Sequence, residues 1–233
     1  MAVTRTSTVP AARAVPDPEV PDPEVPGPDA SGTDLLAAGR AVLTEHRAVT
    51  DASEALLPIA AAVAGEIIAC YRRGGTLFSF GNGGSAADAQ HLAAEMVGRF
   101  RRERGPLPAV ALTVDSSALT SIGNDYGFSE IFSRQLHGLA RPGDVAVGFS
   151  TSGTSENVVS ALAAARRLGV RTVLLTGAVT RPEVADHCLA VPSTTTARIQ
   201  EMHLVLLHLI SELVDSWAAD SRPADSWAAD SAQ

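Results

Sequence analysis

Five short apolar runs restrict this chain more than any other feature: TLFSF (76–80), AVALTV (109–114), DVAVGF (144–149), RTVLLT (171–176) and CLAV (188–191). None follows a strict polar–apolar alternation, so each predicts a strand buried on both faces. Segments with helical spacing separate most of them, notably Ser85–Phe100, Glu156–Leu168 and Arg198–Trp217, and two more, Asp34–His46 and Ala52–Arg73, come first. Strands alternating with helices in this way predict an α/β fold with a parallel sheet covered on both faces. Ligands of such sheets bind beyond the carboxyl ends of the strands, near the point where the strand order reverses.

The chain has 233 residues, 45% of them hydrophobic, enough for one domain with a real core and some spare length. The spare length lies at the ends. Seven of the 14 prolines precede residue 29, around PDPEVPDPEVPGPD, and proline both fixes φ and removes a backbone donor. Residues 1–33 are therefore expected to form an extended, disordered tail. At the other end DSWAADS, Asp215–Ser221, returns at Asp225–Ser231. A duplicated low-complexity end predicts a second disordered tail over 216–233, the alternative being that each tryptophan anchors a partner. The domain itself is then 34–215.

A formal charge of -8 argues against a broad nucleic-acid surface. The one dense basic run, RFRRER (99–104), has only Phe100 as a stacking platform, and its arginines beyond Arg99 are expected on a solvated or intersubunit surface. Two cysteines, Cys70 and Cys188, are too few for a disulfide framework. The N-terminal stretch lacks a signal-type apolar core, and LLPIAAAVAGEIIAC is broken by Pro58 and Glu66 and is short for a bilayer span. These features together predict a soluble cytoplasmic protein without a membrane partner.

Two loops that follow strands invite an anion. In Gly81-Asn82-Gly83-Gly84-Ser85 the glycines permit a tight turn before a helix whose first N–H groups are free. As a dinucleotide fingerprint the loop is poor: Ala86 takes the third glycine position, and no acidic residue ends a second strand at the required distance. The second loop, Ser150-Thr151-Ser152-Gly153-Thr154-Ser155, gathers hydroxyls without a lysine, which suits a phosphate monoester better than a triphosphate with magnesium. A single hydroxyl would serve as a helix cap, so this density favours a ligand.

His91 and Glu95, four residues apart, share a helix face, and Asp88 lies on that side. In RIQEMHLVLLHLISELV, Gln200 and His208 stand eight residues apart, about two turns, while His203 is well round the helix. Each histidine alone is more often a packed or solvated side chain than a ligand. Two helices that each bring a histidine with an oxygen donor can together hold a divalent ion. His46, His137 and His187 have no partner pattern and are given no role.

The stretches GNGGSAADAQHLAAEMVGRF, SIGNDYGF, FSTSGTSENV and RIQEMHLVLLH, in this order and spacing, resemble the phosphoheptose isomerases, the sedoheptulose 7-phosphate isomerases of the SIS domain superfamily, over Asp34 to Asp215. The resemblance implies a flavodoxin-like three-layer α/β/α sandwich with a five-stranded parallel sheet. It also implies N-terminal helices engaged in oligomer packing, and a homotetramer with active sites where subunits meet. The reaction it implies converts D-sedoheptulose 7-phosphate into D-glycero-D-manno-heptose 7-phosphate, the first step toward activated heptoses. Zinc, one ion per subunit, would be held by His91, Glu95, Gln200 and His208. Asn82, Gly83, Gly84 and Ser85 in the first loop, and Ser150, Thr151, Ser152 and Ser155 in the second, match substrate-binding positions, as do Arg99, Asn124, Asp125 and Gln200. One departure is Ala197, where the family often carries an acidic residue that contacts the sugar.

Interconverting a 2-ketose and an aldose moves a proton between C1 and C2, which calls for a base at carbon, an acid at oxygen and a stabiliser of negative oxygen. Glu95 is assigned as the base and His208 as the complementary acid/base. The rival reading is a non-catalytic adaptor: some relatives of this fold bind the replication initiator or sense sugar phosphates. A pure adaptor would have no need to keep His91, Glu95, Gln200 and His208 together. The residues do not distinguish the pathway that the heptose would feed.

Overall fold

The protein is described by a computed structural model covering residues 31–179 and 183–221. The chain runs α1 (Gly32–Ala52), α2 (Leu57–Arg72), β1 (Leu77–Gly81), α3 (Gly84–Val97), β2 (Ala109–Ala111), α4 (Ser116–Tyr126), α5 (Ser133–Leu139), β3 (Val145–Phe149), α6 (Glu156–Arg167), β4 (Arg171–Thr176), β5 (His187–Ala190) and α7 (Thr196–Ser221). The five strands are parallel in the order β2-β1-β3-β4-β5. The expected α/β fold, a five-stranded parallel sheet between helical layers, is what the chain forms.

The pleat sorts the strand residues between two cores. Leu77, Val145, Val147, Phe149, Val173 and Leu175 pack with α2, α3 and α7. Phe78, Phe80, Ala146 and Leu174 face the other way, against Ile122 of α4, Leu136 of α5, and Val158 and Leu162 of α6. Because both faces are covered, β3 is buried at every residue, which is why its sequence carries no alternation. At Gly148 a side chain would come within 2.9 Å of Val158 Cγ1 and 3.1 Å of the Phe80 ring, so the missing Cβ lets α6 lie directly on β3.

Several boundaries move, each for a local reason. The run AVALTV yields only the edge strand Ala109–Ala111, because β2 pairs with β1 alone and Asp115 then caps α4 through the Ala118 N–H at 2.9 Å. Helix α3 stops at Val97, with Gly98 as its C-cap, short of Phe100. Helix α1 starts at Gly32, two residues early, behind a capping box between Ser31 and Asp34.

The largest correction concerns the carboxyl end. The first DSWAADS copy is not a disordered tail but the last turns of α7, with Asp215 and Ala218 buried and Trp217 beneath the Arg72 guanidinium at 5.7 Å. The second copy, like the proline-rich stretch 1–30, lies outside the described residues.

The α1–α2 stretch, Gly32–Arg72, is long and apolar enough by composition to cross a membrane, more than its broken hydrophobic run suggested. Its residues Ala60, Val63, Ala64, Ile67, Cys70 and Tyr71 are instead buried in the core of the domain. Helix α1 is held chiefly by polar contacts. Arg198, almost wholly buried, pairs with Glu201 and Glu45, Thr195 donates to Glu45, and His46 Nδ1 lies 2.7 Å from Glu201, a partner that the sequence did not reveal.

Leu162 fills the core between α6 and the sheet with no exposed surface. Leu162→Ala is expected to destabilise the domain by about 2–5 kcal/mol, the range for emptying a buried leucine site. Urea unfolding measures it; a loss below about 1 kcal/mol would show that this layer closes around the cavity.

Candidate active site

Strand order reverses between β1 and β3, whose onward connections leave toward opposite edges of the sheet. The two hydroxyl- and glycine-rich loops leave these two strands, side by side, with Gly81 in register with Phe149. That is the crevice in which parallel sheets bind ligands. The loops are joined by a reciprocal amide pair: Asn82 Nδ2 donates to Asn157 Oδ1 at 2.9 Å and Asn157 Nδ2 donates to Asn82 Oδ1 at 2.8 Å. Asn157, buried on the first turn of α6, was not singled out by sequence reasoning. A polar residue beside the apolar Val158 just inside a helix was the available signal.

Local backbone fits the glycines. Gly83, φ 55°, caps α3 with no side-chain hydrogen bond, leaving the helix N-terminus uncapped and its partial positive charge unanswered. The first residue of α3, Gly84, is glycine for another reason: a Cβ there would meet the Gln200 amide at 2.6 Å. Helix α7 therefore reaches the first loop through Gln200. In the second loop the hydroxyls do not cap α6. Ser150 Oγ donates to Ser155 Oγ at 2.9 Å, Thr154 Oγ1 donates to Ser152 Oγ at 3.0 Å, and Ser155 makes no side-chain cap.

Helices α3 and α7 then bring the reactive types together. His91 Nε2 lies 2.8 Å from His208 Nε2 and 3.2 Å from Glu95 Oε1, and one ligand atom from each of the three residues falls within 4.8 Å of the others. Two imidazole nitrogens facing each other at hydrogen-bond distance, beside a carboxylate only 17% exposed, suit a divalent cation. Phe100 walls one side, its ring centroid 5.3 Å from that of His208. Asp88, one turn before His91, has its carboxyl pushed up to about 6 by burial, an effect opposed by the charge on His91, and its Oδ2 has no hydrogen-bond partner.

Not every expected residue converges. Arg99 pairs with Glu103 at 2.8 Å on the surface. Asn124 donates to Asp125 at 2.8 Å on the exposed end of α4. Thr151 and Ser152 are half-buried on their loop, and Ala197 is exposed just inside α7. Contrary to the expectation of a solvated or intersubunit surface, the Arg104 side chain is buried within the chain against Asp215. His203, well round the helix from His208, is buried in the core, with Nε2 3.2 Å from the Thr176 carbonyl.

The SIS domain profile matches residues 43–177. A phosphoheptose isomerase of Roseiflexus sp. (strain RS-1) is 53% identical over 164 residues, 70% of this chain and 83% of that protein. The chain belongs to the phosphoheptose isomerase family. Another member, from Akkermansia muciniphila, is 57% identical over 146 residues, 62% of this chain and 77% of that protein. The solved phosphoheptose isomerase of Neisseria gonorrhoeae superposes with a TM-score of 0.73 at 42% identity, over 78% of this chain and 99% of that one. As a member of that family this protein is an isomerase.

Two buried groups near the site titrate in opposite senses. Asp88 binds its proton more tightly when folded, so its contribution to stability is complete below pH about 4 and is lost as pH rises through about 6. His203, lowered to about 4 by burial and partly restored by the Thr176 carbonyl, contributes above its ordinary value and loses that as pH falls through about 4. The two largely offset each other between pH 4 and 6. Asp88→Asn should remove one side of the balance, so that in metal-free protein its advantage over wild type grows from pH 4 to 6 and then levels. Denaturant midpoints across that window check it; a constant difference would mean that Asp88 titrates normally.

Proposed function

We propose that this isomerase converts D-sedoheptulose 7-phosphate into D-glycero-D-manno-heptose 7-phosphate through an enediol or enediolate. The observation that carries the proposal is the approach of His91, Glu95 and His208 between α3, which follows the first loop, and α7, whose Gln200 reaches that loop. The uncapped start of α3 and the hydroxyls of Ser150, Ser152 and Ser155 bind the phosphate, while Asn82 and Gln200 line the path from loop to helix pair.

With the phosphate fixed, the far end of the sugar lies over α3 and α7. Glu95 takes the proton from C1 of the ketose. His208 supplies a proton to O2 as the C2 carbonyl becomes a hydroxyl, and recovers one from O1 as the aldehyde forms. Glu95 then returns its proton to C2, so the reaction is balanced with no external acid or base. His91, Glu95, Gln200 and His208 are the residues that would hold zinc, which when bound supplies Lewis-acid stabilisation of negative oxygen.

Arg99, Asn124 and Asp125 stand on the surface of the single chain, and the resemblance assigns them to the substrate. A homotetramer with sites at subunit junctions reconciles these facts. The exposed Leu35, Leu36 and Leu43 of α1, and the apolar groove formed by Val97, Val110 and Val114 between α3 and the sheet edge, are surfaces such an assembly would cover. The purified protein should sediment as a tetramer; a monomer fully active at nanomolar concentration would exclude shared sites.

Glu95→Gln and His208→Ala should each lower kcat by about 10² to 10⁴ with the fold retained, the usual scale of general acid–base catalysis. Turnover of sedoheptulose 7-phosphate with and without added zinc is the assay. Wild-type rates in either variant would remove that residue from the reaction, and full activity after exhaustive chelation would make zinc incidental.

A further inference from the structure

Past α3 the basic run folds back into the protein. The Arg104 side chain has no exposed surface, and that of Asp215 on α7 is 2% exposed. The guanidinium donates from Nε to Asp215 Oδ1 at 3.0 Å. Nη1 donates to the carbonyls of Met96, Gly98 and Gly105 at 2.8, 3.3 and 3.0 Å, and Nη2 donates to the carbonyl of Glu95 at 2.7 Å. The other Asp215 oxygen accepts the backbone N–H groups of Arg101 and Arg102 at 3.1 and 2.8 Å.

Stability is a weak reason for such an arrangement. Two charges removed from water pay a desolvation cost that their attraction often fails to exceed, and an apolar pair of equal volume commonly holds helices together as well. What an apolar pair lacks is direction. A guanidinium is a rigid planar fork of five donors, so its bonds form only when the carbonyls ending α3 and the carboxylate on α7 stand at fixed separations. The gripped positions matter. One acceptor is the backbone carbonyl of Glu95 itself. Asp215 is seven residues, about two turns, beyond His208, on the same face of α7. The fork thus joins α3 at the residue that carries the carboxylate to the helix that carries the imidazole. Neither partner belongs to the phosphate loops.

We propose that Arg104 and Asp215 are positioning residues for the isomerisation, fixing Glu95 of α3 against His208 of α7. The proposal rests on those two being the acid–base pair. It separates two effects: loosening the clamp leaves phosphate binding intact but spoils the alignment of the reacting groups, and misplacement by about 1 Å can cost 10²-fold in rate.

Wild type, Arg104→Met, Arg104→Lys and Asp215→Asn are compared with Leu162→Ala, a core variant on the far face of the sheet. For each, kcat and KM are measured with sedoheptulose 7-phosphate, and Zn²⁺ affinity by competition with a chromophoric chelator. Arg104→Met should lose about 10- to 100-fold in kcat with KM within about threefold of wild type, and bind Zn²⁺ about tenfold more weakly. Arg104→Lys should recover part of the loss, and Leu162→Ala should keep its kcat despite reduced stability.

Unchanged kcat and Zn²⁺ affinity in the Arg104 and Asp215 variants would overturn the proposal, as would an equal loss of kcat in Leu162→Ala. If Arg104→Met fails to fold, Arg104→Lys and Asp215→Asn decide between the same outcomes. A wild type that binds Zn²⁺ but does not isomerise overturns the proposed function and, with it, a catalytic role for the clamp; weaker Zn²⁺ binding in the Arg104 and Asp215 variants would then show only that the pair holds His91, Glu95 and His208 together. A wild type that does neither overturns both.

Discussion

The site depends on a pair of side-chain amides. Asn82 and Asn157 satisfy each other in both directions across the gap between β1 and β3, and each belongs to the first turn or loop after its strand. Parallel strands whose connections depart in opposite directions leave a crevice at their carboxyl ends, and nothing in the sheet itself closes it. The reciprocal bonds fix the crevice's width. Losing one amide would leave the other buried without its partner, at a cost of about 1–3 kcal/mol. In the proposed function that gap lets the uncapped start of α3 and the hydroxyls before α6 address one phosphate.

The helix pair works under a different constraint. Loops at strand ends inherit the rigidity of a sheet buried on both faces, but α3 and α7 meet only through side chains, where helix packing leaves room to slide. Three devices oppose that freedom. The Gln200 amide lies over the bare backbone of Gly84, a contact between the helices at one end. The His91–His208 contact marks the middle. The buried Arg104–Asp215 fork closes the other end and places positive charge at the C-terminus of α3, where the helix dipole favours it. Asp215 reflects this: burial pushes its carboxyl up, but the N–H groups of Arg102 and Arg101 and the Arg104 guanidinium outweigh burial and hold it below the usual carboxylate range.

Much of this was legible in the residues because it depends on local pattern. The strands were readable since a two-sided burial requirement acts on every residue of β3 and on β4 from Thr172 onward. The two loops were readable because turns and helix starts carry their own residue chemistry, and His91 with Glu95 because the spacing of four is a property of one helix. What escaped involved distant partners. The helical pattern runs only to Trp217 and the two DSWAADS copies are identical, so nothing local carried α7 on to Ser221; Asp215 is held there by Arg101, Arg102 and Arg104, more than 110 positions earlier in the chain. Arg104 itself looked like any member of a basic run. Charge density suggested solvent, and only the chain's turn back onto the carbonyls of α3 made burial possible.

The division between loops and helices separates two tasks. A sheet with a crevice at its switch point and uncapped helix starts can hold an anion whatever lies on the flanking helices, so binding comes with the architecture. Turnover requires more: a carboxylate and an imidazole held at reacting distance by contacts that the sheet does not supply. In this chain those contacts are side-chain specific, from Gln200 at one end of the helix pair to Arg104 and Asp215 at the other. In the proposed reaction chemistry is carried by the layer that the fold constrains least, and it is there that substitutions are expected to remove catalysis while leaving a folded protein that still binds its ligand.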